Sequence, residues 1–436
     1  MTLKIPYKSL LLYLSLVSLY RLALDWIYRS VIAVSFAYAG FIWKPSLLLC
    51  AVSWALLTLF SCLMWPCYRN PENRISYEIL FILFLISLVP FTVMVYAGMC
   101  PTAFWASNAL YWFLLIRLCV RKRLFRAIKI TGVMKRIQKA HVLIAVVLLL
   151  SVFYICARYS HFRLNFDLSK IYDLRSEARE YDYPTLLKYI FSWSRMVNAI
   201  LIAYFIRRRY VAWTCACCAI QLLSFGIDGS KTTFFLLLFA VGINLLPQFS
   251  YSRFNKIMLC GFLALDVFIL LWYYWSANAL PISMFARRLS FTPISISEHF
   301  FDFFTTHQPD FFRQSFLRHF GFKSPYPSIA YMIAWEYTQM VSSANNGLIS
   351  DAVANLGWAG IVVFPFLLNA ALKLLDRCAK GLDERIVLSV ALYASISLSN
   401  SFLFTVLLSH GLLVVMYLLF CLERKSSAPL RMPFHV

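Results

Sequence analysis

Apolar runs of membrane-spanning length, separated by short polar breaks, make up most of the 436 residues. A helix needs about 20 mostly apolar residues to cross the hydrocarbon of a bilayer. The stretches 45–68, 79–116, 232–252 and 386–422 hold no Asp, Glu, Lys or Arg. The second and fourth are long enough to be helical hairpins. In chain order the pattern predicts spans near 9–24, 46–66, 76–96, 102–120, 141–157, 185–206, 211–227, 232–247, 257–276, 352–372, 386–399 and 403–421. The run 31–43 is apolar but short, and reads as re-entrant or interfacial. The expected fold is therefore all-α: one polytopic integral membrane domain over 1–436 with about 12 transmembrane helices. A long loop separates helices 9 and 10. No internal repeat of the kind found in many secondary transporters is visible.

The polar breaks are of two kinds. Segment 121–139 carries eight Lys/Arg and no acid, whereas 158–183 carries five basic and five acidic residues. Basic short loops stay on the cytoplasmic side, against anionic headgroups. That rule puts 121–139 and both termini inside. It makes 158–184 a first external loop and 277–351 the main external loop, the latter with short amphipathic helices lying on the membrane. The first span lacks a small-residue cleavage pattern and reads as an uncleaved anchor.

Composition agrees with this picture. Hydrophobic residues are 61% and charged residues 14%, against about a quarter charged in soluble domains. The net charge of +22 follows from the positive-inside rule, so nucleic acid is not an expected partner. Most of the twelve cysteines lie in or beside apolar runs. The Cys215–Cys218 run has no second Cys/His pair at ligand spacing, so no metal is expected. Neither a GxxxxGK[ST] nor a GxGxxG motif occurs, and no acidic cage for Mg²⁺. An enzyme of this kind takes substrates that arrive already activated and needs no cofactor.

The candidate chemistry concentrates in 276–360. The adjacent guanidiniums of Arg287 and Arg288 suit a polyanion such as pyrophosphate, or else anchor the chain at headgroups. Glu298 and His299 are a candidate acid–base pair, or polar residues on the wet face of an amphipathic helix, with His299 and Asp302 at i and i+3. Arg318, His319 and Lys323 form a second basic group. Tyr326, Tyr331, Trp335 and Tyr337 are side chains on which sugar rings stack. Outside this segment, Asp228-Gly-Ser-Lys231 reads as a turn with Gly at its tip; Lys231 either meets a lipid phosphate or pairs with Asp228. Arg21 and Asp25, at i and i+4, are placed to pair. Arg195, Asp266 and His410 fall within spans.

The number of spans, the large loop in the C-terminal half, the turn GIDGSKTTFF and the stretch from ARRLSF to SANNGLISDAVANLGWAG together resemble the O-antigen and capsule repeat-unit polymerases (Wzy-type). Motif-level similarity is confined to about 226–236 and 284–360. The resemblance implies a GT-C-like membrane glycosyltransferase in the bacterial inner membrane. It would move a growing glycan from undecaprenyl pyrophosphate to the non-reducing end of a lipid-linked repeat unit on the outer face. It implies Arg287, Arg288 and Lys231, with Arg318, as pyrophosphate ligands, and His299 or Glu298 as acceptor base, His299 preferred. Asp228, Asn345, Asn346 and Asp351 would shape the site, and a chain-length regulator would be a partner. An O-antigen ligase is the nearest alternative; a lipid-linked oligosaccharide transporter and a non-catalytic scaffold belong to other classes.

Overall fold

The computed structural model describes residues 7–121, 140–163, 177–178, 180–245, 249–339 and 341–424, without the side chains of Lys231, Phe316 and His319. Within them the chain is helical and contains no strand. Nine helices among the described residues are long and apolar enough to cross a membrane, as a polytopic membrane protein requires. Residues 122–139 of the basic loop, 164–176 of the first loop and the C-terminus from Lys425 onward lie outside the described residues.

In order, the helices are α1 Tyr7–Ser35, α2 Leu47–Arg69, α3 Ile75–Tyr96, α4 Thr102–Val120, α5 Ala140–Ser160, α6 Thr185–Arg207 and α7 Val211–Asp228. There follow α8 Lys231–Leu245, α9 Tyr251–Ser276, α10 Thr292–Thr306, α11 Ile329–Thr338, α12 Ile349–Leu356, α13 Trp358–Ala379, α14 Glu384–Asn400, α15 Leu403–Leu408 and α16 Leu412–Cys421. Nine expected spans find a long apolar helix. The expected span at 232–247 is only 15 residues, that at 386–399 is 17, and 403–421 is two short helices. The run 31–43 is not one separate segment. Its first half continues α1, and the rest makes one 3₁₀ turn before Lys44 N–H bonds the Ala97 carbonyl at 2.9 Å.

The chain divides into two compact units: 1–124, 250–373 and 394–407 form the first, and 125–249, 374–393 and 408–436 the second. In the first unit α3 is the central helix. It is apolar on every side, and 94% of its most apolar window is buried, the pattern of a helix surrounded by protein. Polar clamps hold both of its ends. Near its C-terminus the buried Arg21 guanidinium meets Asp25 at 3.1 Å, as the i,i+4 spacing predicts. Arg21 also donates to the Thr92 carbonyl at 2.9 Å and lies over the Trp54 ring. Near the N-terminus of α3, Oε1 of the buried Glu78 accepts from Asn70 at 2.7 Å and from Asn255 at 3.1 Å, joining α2, α3 and α9.

After α9 the backbone stays helical from Leu280 through a π-helical stretch, Ser283–Phe291, into α10. Helix α10 is amphipathic as expected, but its apolar face packs on protein rather than on headgroups. Phe301 meets Phe104 of α4 at 5.5 Å and Trp358 of α13 at 5.2 Å, and Phe300 lies near Phe402. Each such buried ring stabilises the fold by about 2 kcal/mol.

The expected span 352–372 is broken into α12 and α13 at Gly357, whose φ of 56° and ψ of −141° belong to a region open to little but glycine. The break has partners waiting. Asp310 N–H donates to the Ala354 carbonyl at 2.7 Å and Phe311 N–H to that of Asn355 at 3.1 Å. These bonds satisfy carbonyls that the end of α12 would otherwise leave orphaned.

In the second unit α6 is the hub. Asn198 donates to the Cys217 carbonyl and, at 3.0 Å, to Gln221, which in turn donates to the Thr233 carbonyl at 3.1 Å. Such amide bonds link helices where lipid offers no hydrophobic drive to associate. Val152, Ile155, Phe191, Ile220 and Ile227 form an apolar core beside them.

Candidate functional site

Helix α10 presents Glu298, His299 and Asp302 on its less apolar side, as their spacing predicts. The Glu298 and His299 side chains are 25% and 20% exposed, and Glu298 Oε2 lies 3.8 Å from His299 Nε2. The imidazole stacks on Tyr337 of α11, with ring centroids 4.5 Å apart and planes 6° apart. The Tyr337 hydroxyl donates to Asp302 at 2.5 Å. One turn of α10 and one turn of α11 thus form a single polar cluster.

Burial controls how these groups titrate. Loss of solvent, with Asp302 adding its charge, pushes Glu298 up to about 7. Desolvation pushes His299 down to about 4 against the pull of Asp302, so the imidazole is neutral at pH 7. Burial, and next the bond to Asp302, raises the Tyr337 phenol. The Cys100 thiol, buried in the turn between α3 and α4, is driven well above its usual range by burial, with the Glu298 charge contributing. A proton exchanger works best with a pKa near the operating pH. That condition favours Glu298 over His299, reversing the preference drawn from sequence.

The arginine pair sits at the other end of the same helical rod. Arg287 is half-buried; its guanidinium lies 4.4 Å from the centre of the Phe36 ring and donates to Ser283 at 2.9 and 3.1 Å. Desolvation, and the neighbouring Arg288, lower its pKa. Arg288 is exposed. Ten residues separate Arg288 from Glu298, about 15 Å of helical rise. The structure does not gather the guanidiniums and the acid–base pair at one point. Arg318 is exposed on a 3₁₀ turn, Phe316–Phe320.

Asn346 and Asp351 do not line an open site. Asn346 is buried and donates to the Pro293 carbonyl at 2.6 Å, to Ser297 at 2.9 Å and to Ser350 at 3.0 Å. Beside it lies a cavity of about 20 Å³ bordered by Ser87, Asn108 and Ser399, room for one water. Asp351, also buried, accepts the Leu403 backbone N–H and, at 2.7 Å, the Asn355 amide. Gly347 allows the contact between segments: a Cβ there would fall 2.0 Å from the Leu398 carbonyl oxygen. The Asn-Gly…Asp-Ala run is thus a packing lock between α10, α12 and the end of α14. Asn345 is exposed beside it and accepts from Ser343 at 3.0 Å.

Asp228 and Lys231 belong to the second unit. The turn forms as read, with Gly229 ending α7 and Lys231 beginning α8. Asp228, however, forms an ion pair with Arg195 and accepts Ser230 N–H at 3.0 Å. The Lys231 side chain lies outside what the structure describes.

Of the four aromatics proposed for sugar stacking, Tyr337 is taken by His299. Tyr326 packs on Phe303 and Phe304 and donates to the Gln308 carbonyl. Tyr331 and Trp335 remain about half exposed, 50% and 52%, four residues apart on one face of α11. Sequence reading did not assign a role to Cys100, Ser283, Ser297 or Ser350. Small buried polar residues carry no periodic signal that would set them apart. No family model, curated protein or solved structure matches the chain.

Proposed function

We propose that the chain is a polysaccharide polymerase that transfers a growing glycan from undecaprenyl pyrophosphate to a lipid-linked repeat unit. The observation that carries the reading is Glu298: a sheltered carboxyl with a pKa of about 7, on the same helical rod as the Arg287–Arg288 pair. In the reaction the acceptor hydroxyl loses its proton to Glu298 and its oxygen bonds the anomeric carbon of the donor. The bond from that carbon to pyrophosphate breaks, and the leaving group takes the electron pair. Fixed cations stabilise the negative charge that develops there. Arg287, held against Phe36 and Ser283, is a preorganised cation, and Arg288 projects beside it. A donor laid along the rod would put its pyrophosphate toward the arginines and its sugar toward Glu298. His299, neutral and stacked on Tyr337, is a positioning residue in this scheme, and the exposed Tyr331 and Trp335 offer sugar-stacking surfaces.

The same reading carries about twelve crossings in a GT-C-like arrangement, residence in the bacterial inner membrane with both termini cytoplasmic, a chain-length regulator as partner, and no cofactor. The deciding experiment reconstitutes the protein in liposomes with a lipid-pyrophosphate-linked oligosaccharide, with and without lipid A core, and resolves products on gels. A ladder that Glu298→Gln abolishes supports a polymerase. An undiminished ladder from that variant removes Glu298 as base, and a single addition to lipid A core instead of a ladder identifies a ligase.

A second reading, transport of the same lipid-linked substrate, is favoured by a different observation. Two helix pairs are broken, α12/α13 and α15/α16, and buried Arg21, Glu78 and Asp266 lie within spans. Discontinuous helices and buried charges are common at transporter sites. Movement of the labelled lipid across the bilayer without elongation would establish it.

A further inference from the structure

A basic cavity opens in the first unit, away from α10. It lies where α2 ends and α9 begins, beside the start of α1. Its volume is about 750 Å³, and its walls include Arg69, Arg253, Lys256, Trp65, Ser250 and Ser252. No carboxylate is among the residues lining it. We propose that this cavity binds the phosphodiester headgroup of an anionic phospholipid. Three observations support this, and none depends on the polymerase reading.

The first is charge. Three cationic side chains border one concavity, and the N-terminus of the 26-residue α9, capped by Ser250 accepting Arg253 N–H at 3.3 Å, points its dipole there. Helix N-termini favour phosphate oxygens, and guanidiniums bind them in bidentate fashion. Basic pockets between transmembrane helices near the membrane surface are suited to lipid headgroups.

The second is depth and flank. Arg69 is the last residue of α2 and Ser250 the cap of α9, so the cavity lies at the ends of spans, where headgroups lie. Leu12 and Ile257 border it and are 45% and 49% exposed. An acyl chain can run down that apolar flank from a phosphate held above, an option that free phosphate lacks.

The third is rigidity. Asn255, one turn into α9, donates to the Tyr68 carbonyl and to the buried Glu78, both at 3.1 Å. Asn70 donates to the same carboxylate oxygen. The two walls that carry the cations are therefore bonded to each other beneath the cavity, and a headgroup need not order them on binding.

The test uses the purified full chain in detergent with phosphatidylglycerol or phosphatidylcholine, and native mass spectrometry to count retained lipid. Phosphatidylglycerol should be retained in preference to phosphatidylcholine, and 10-fold excess inorganic phosphate should not displace it. Arg69→Gln, Arg253→Gln and Lys256→Gln should each weaken retention about fivefold, and together about 100-fold. If the combined variant is not monodisperse, Arg253→Gln and Lys256→Gln, at exposed positions, carry the test. Equal retention of the two lipids, or unchanged retention in those variants, overturns the proposal. Displacement by inorganic phosphate also overturns it, since it would make the cavity a site for soluble anions.

Discussion

The imidazole of His299 lies flat on the ring of Tyr337, 4.5 Å between centroids, while the Tyr337 hydroxyl is committed to Asp302. The stack shields one imidazole face from water. Burial then holds the ring neutral, with its pKa at about 4. Removing the ring with Tyr337→Leu should rehydrate the imidazole and raise that pKa. The measurement is the rate of carbethoxylation of His299 between pH 5 and 7, followed by peptide mass spectrometry, with Tyr337→Phe as the control that keeps the stack. An unchanged profile in Tyr337→Leu would show that the stack does not shelter the ring.

The acid limb of activity should report Glu298. A base must be ionised to accept a proton, so turnover should fall as pH drops through about 7. Glu298→Gln should lower turnover by a factor on the order of 10²–10⁴. His299→Gln should cost less and keep the acid limb. If instead His299→Gln abolishes the limb, the roles are reversed.

The same two groups pull stability in opposite directions with pH. Glu298 is raised from its ordinary value to about 7, so between roughly 4.5 and 7 the folded state holds more protons than the unfolded one. Its contribution to stability is lost as pH rises through that window. His299 is lowered to about 4, so from there to roughly 6.5 the unfolded state holds more protons, and its contribution rises with pH. Wild-type melting temperature should therefore change little from these groups between pH 4.5 and 6.5. Glu298→Gln should leave a net rise with pH, and His299→Gln a net fall; identical slopes in both variants would refute the assignment.

Gly347→Ala should fail to give monodisperse protein. Its Cβ would sit 2.0 Å from the Leu398 carbonyl oxygen and 2.5 Å from that of Ser401. Both are backbone atoms that cannot swing away, so the cost should exceed about 3 kcal/mol. Asp351→Asn keeps an acceptor for the Leu403 N–H but places an amide where the carboxylate accepted from Asn355. It should cost about 2 kcal/mol and retain activity at permissive temperature. Size-exclusion profiles and melting curves of the two variants, beside the gel assay, check this; a stable but inactive Asp351→Asn would give the carboxylate a chemical role.

The Arg195–Asp228 pair joins α6 to the end of α7. Asp228→Asn and Arg195→Gln should each destabilise the second unit by about 2 kcal/mol. The double variant should cost less than their sum, because each single change strands a partner. Strict additivity in melting experiments would mean that the pair contributes nothing.

Sequence pattern was enough to find the nine long apolar helices, though α1 runs eleven residues past its expected end and the span expected at 352–372 is broken at Gly357. The turn at Gly229 and the Arg21–Asp25 pair were legible from residue type and spacing. Each of these is local: a run of apolar residues, a glycine where the chain reverses, charges one turn apart. It also placed Glu298, His299 and Asp302 together on one side of a helix. Three other features depended on chain segments distant in sequence. Helix α12 ends at Gly357 because residues 310 and 311 take its last carbonyls. Asp228 pairs with Arg195, 33 residues away in sequence. The choice between Glu298 and His299 depends on burial by neighbouring elements, which pushes the carboxyl up to about 7 and the imidazole down to about 4. Periodicity records which residues prefer burial; what buries them, and hence their pKa and partners, is set by packing between elements that the sequence keeps apart.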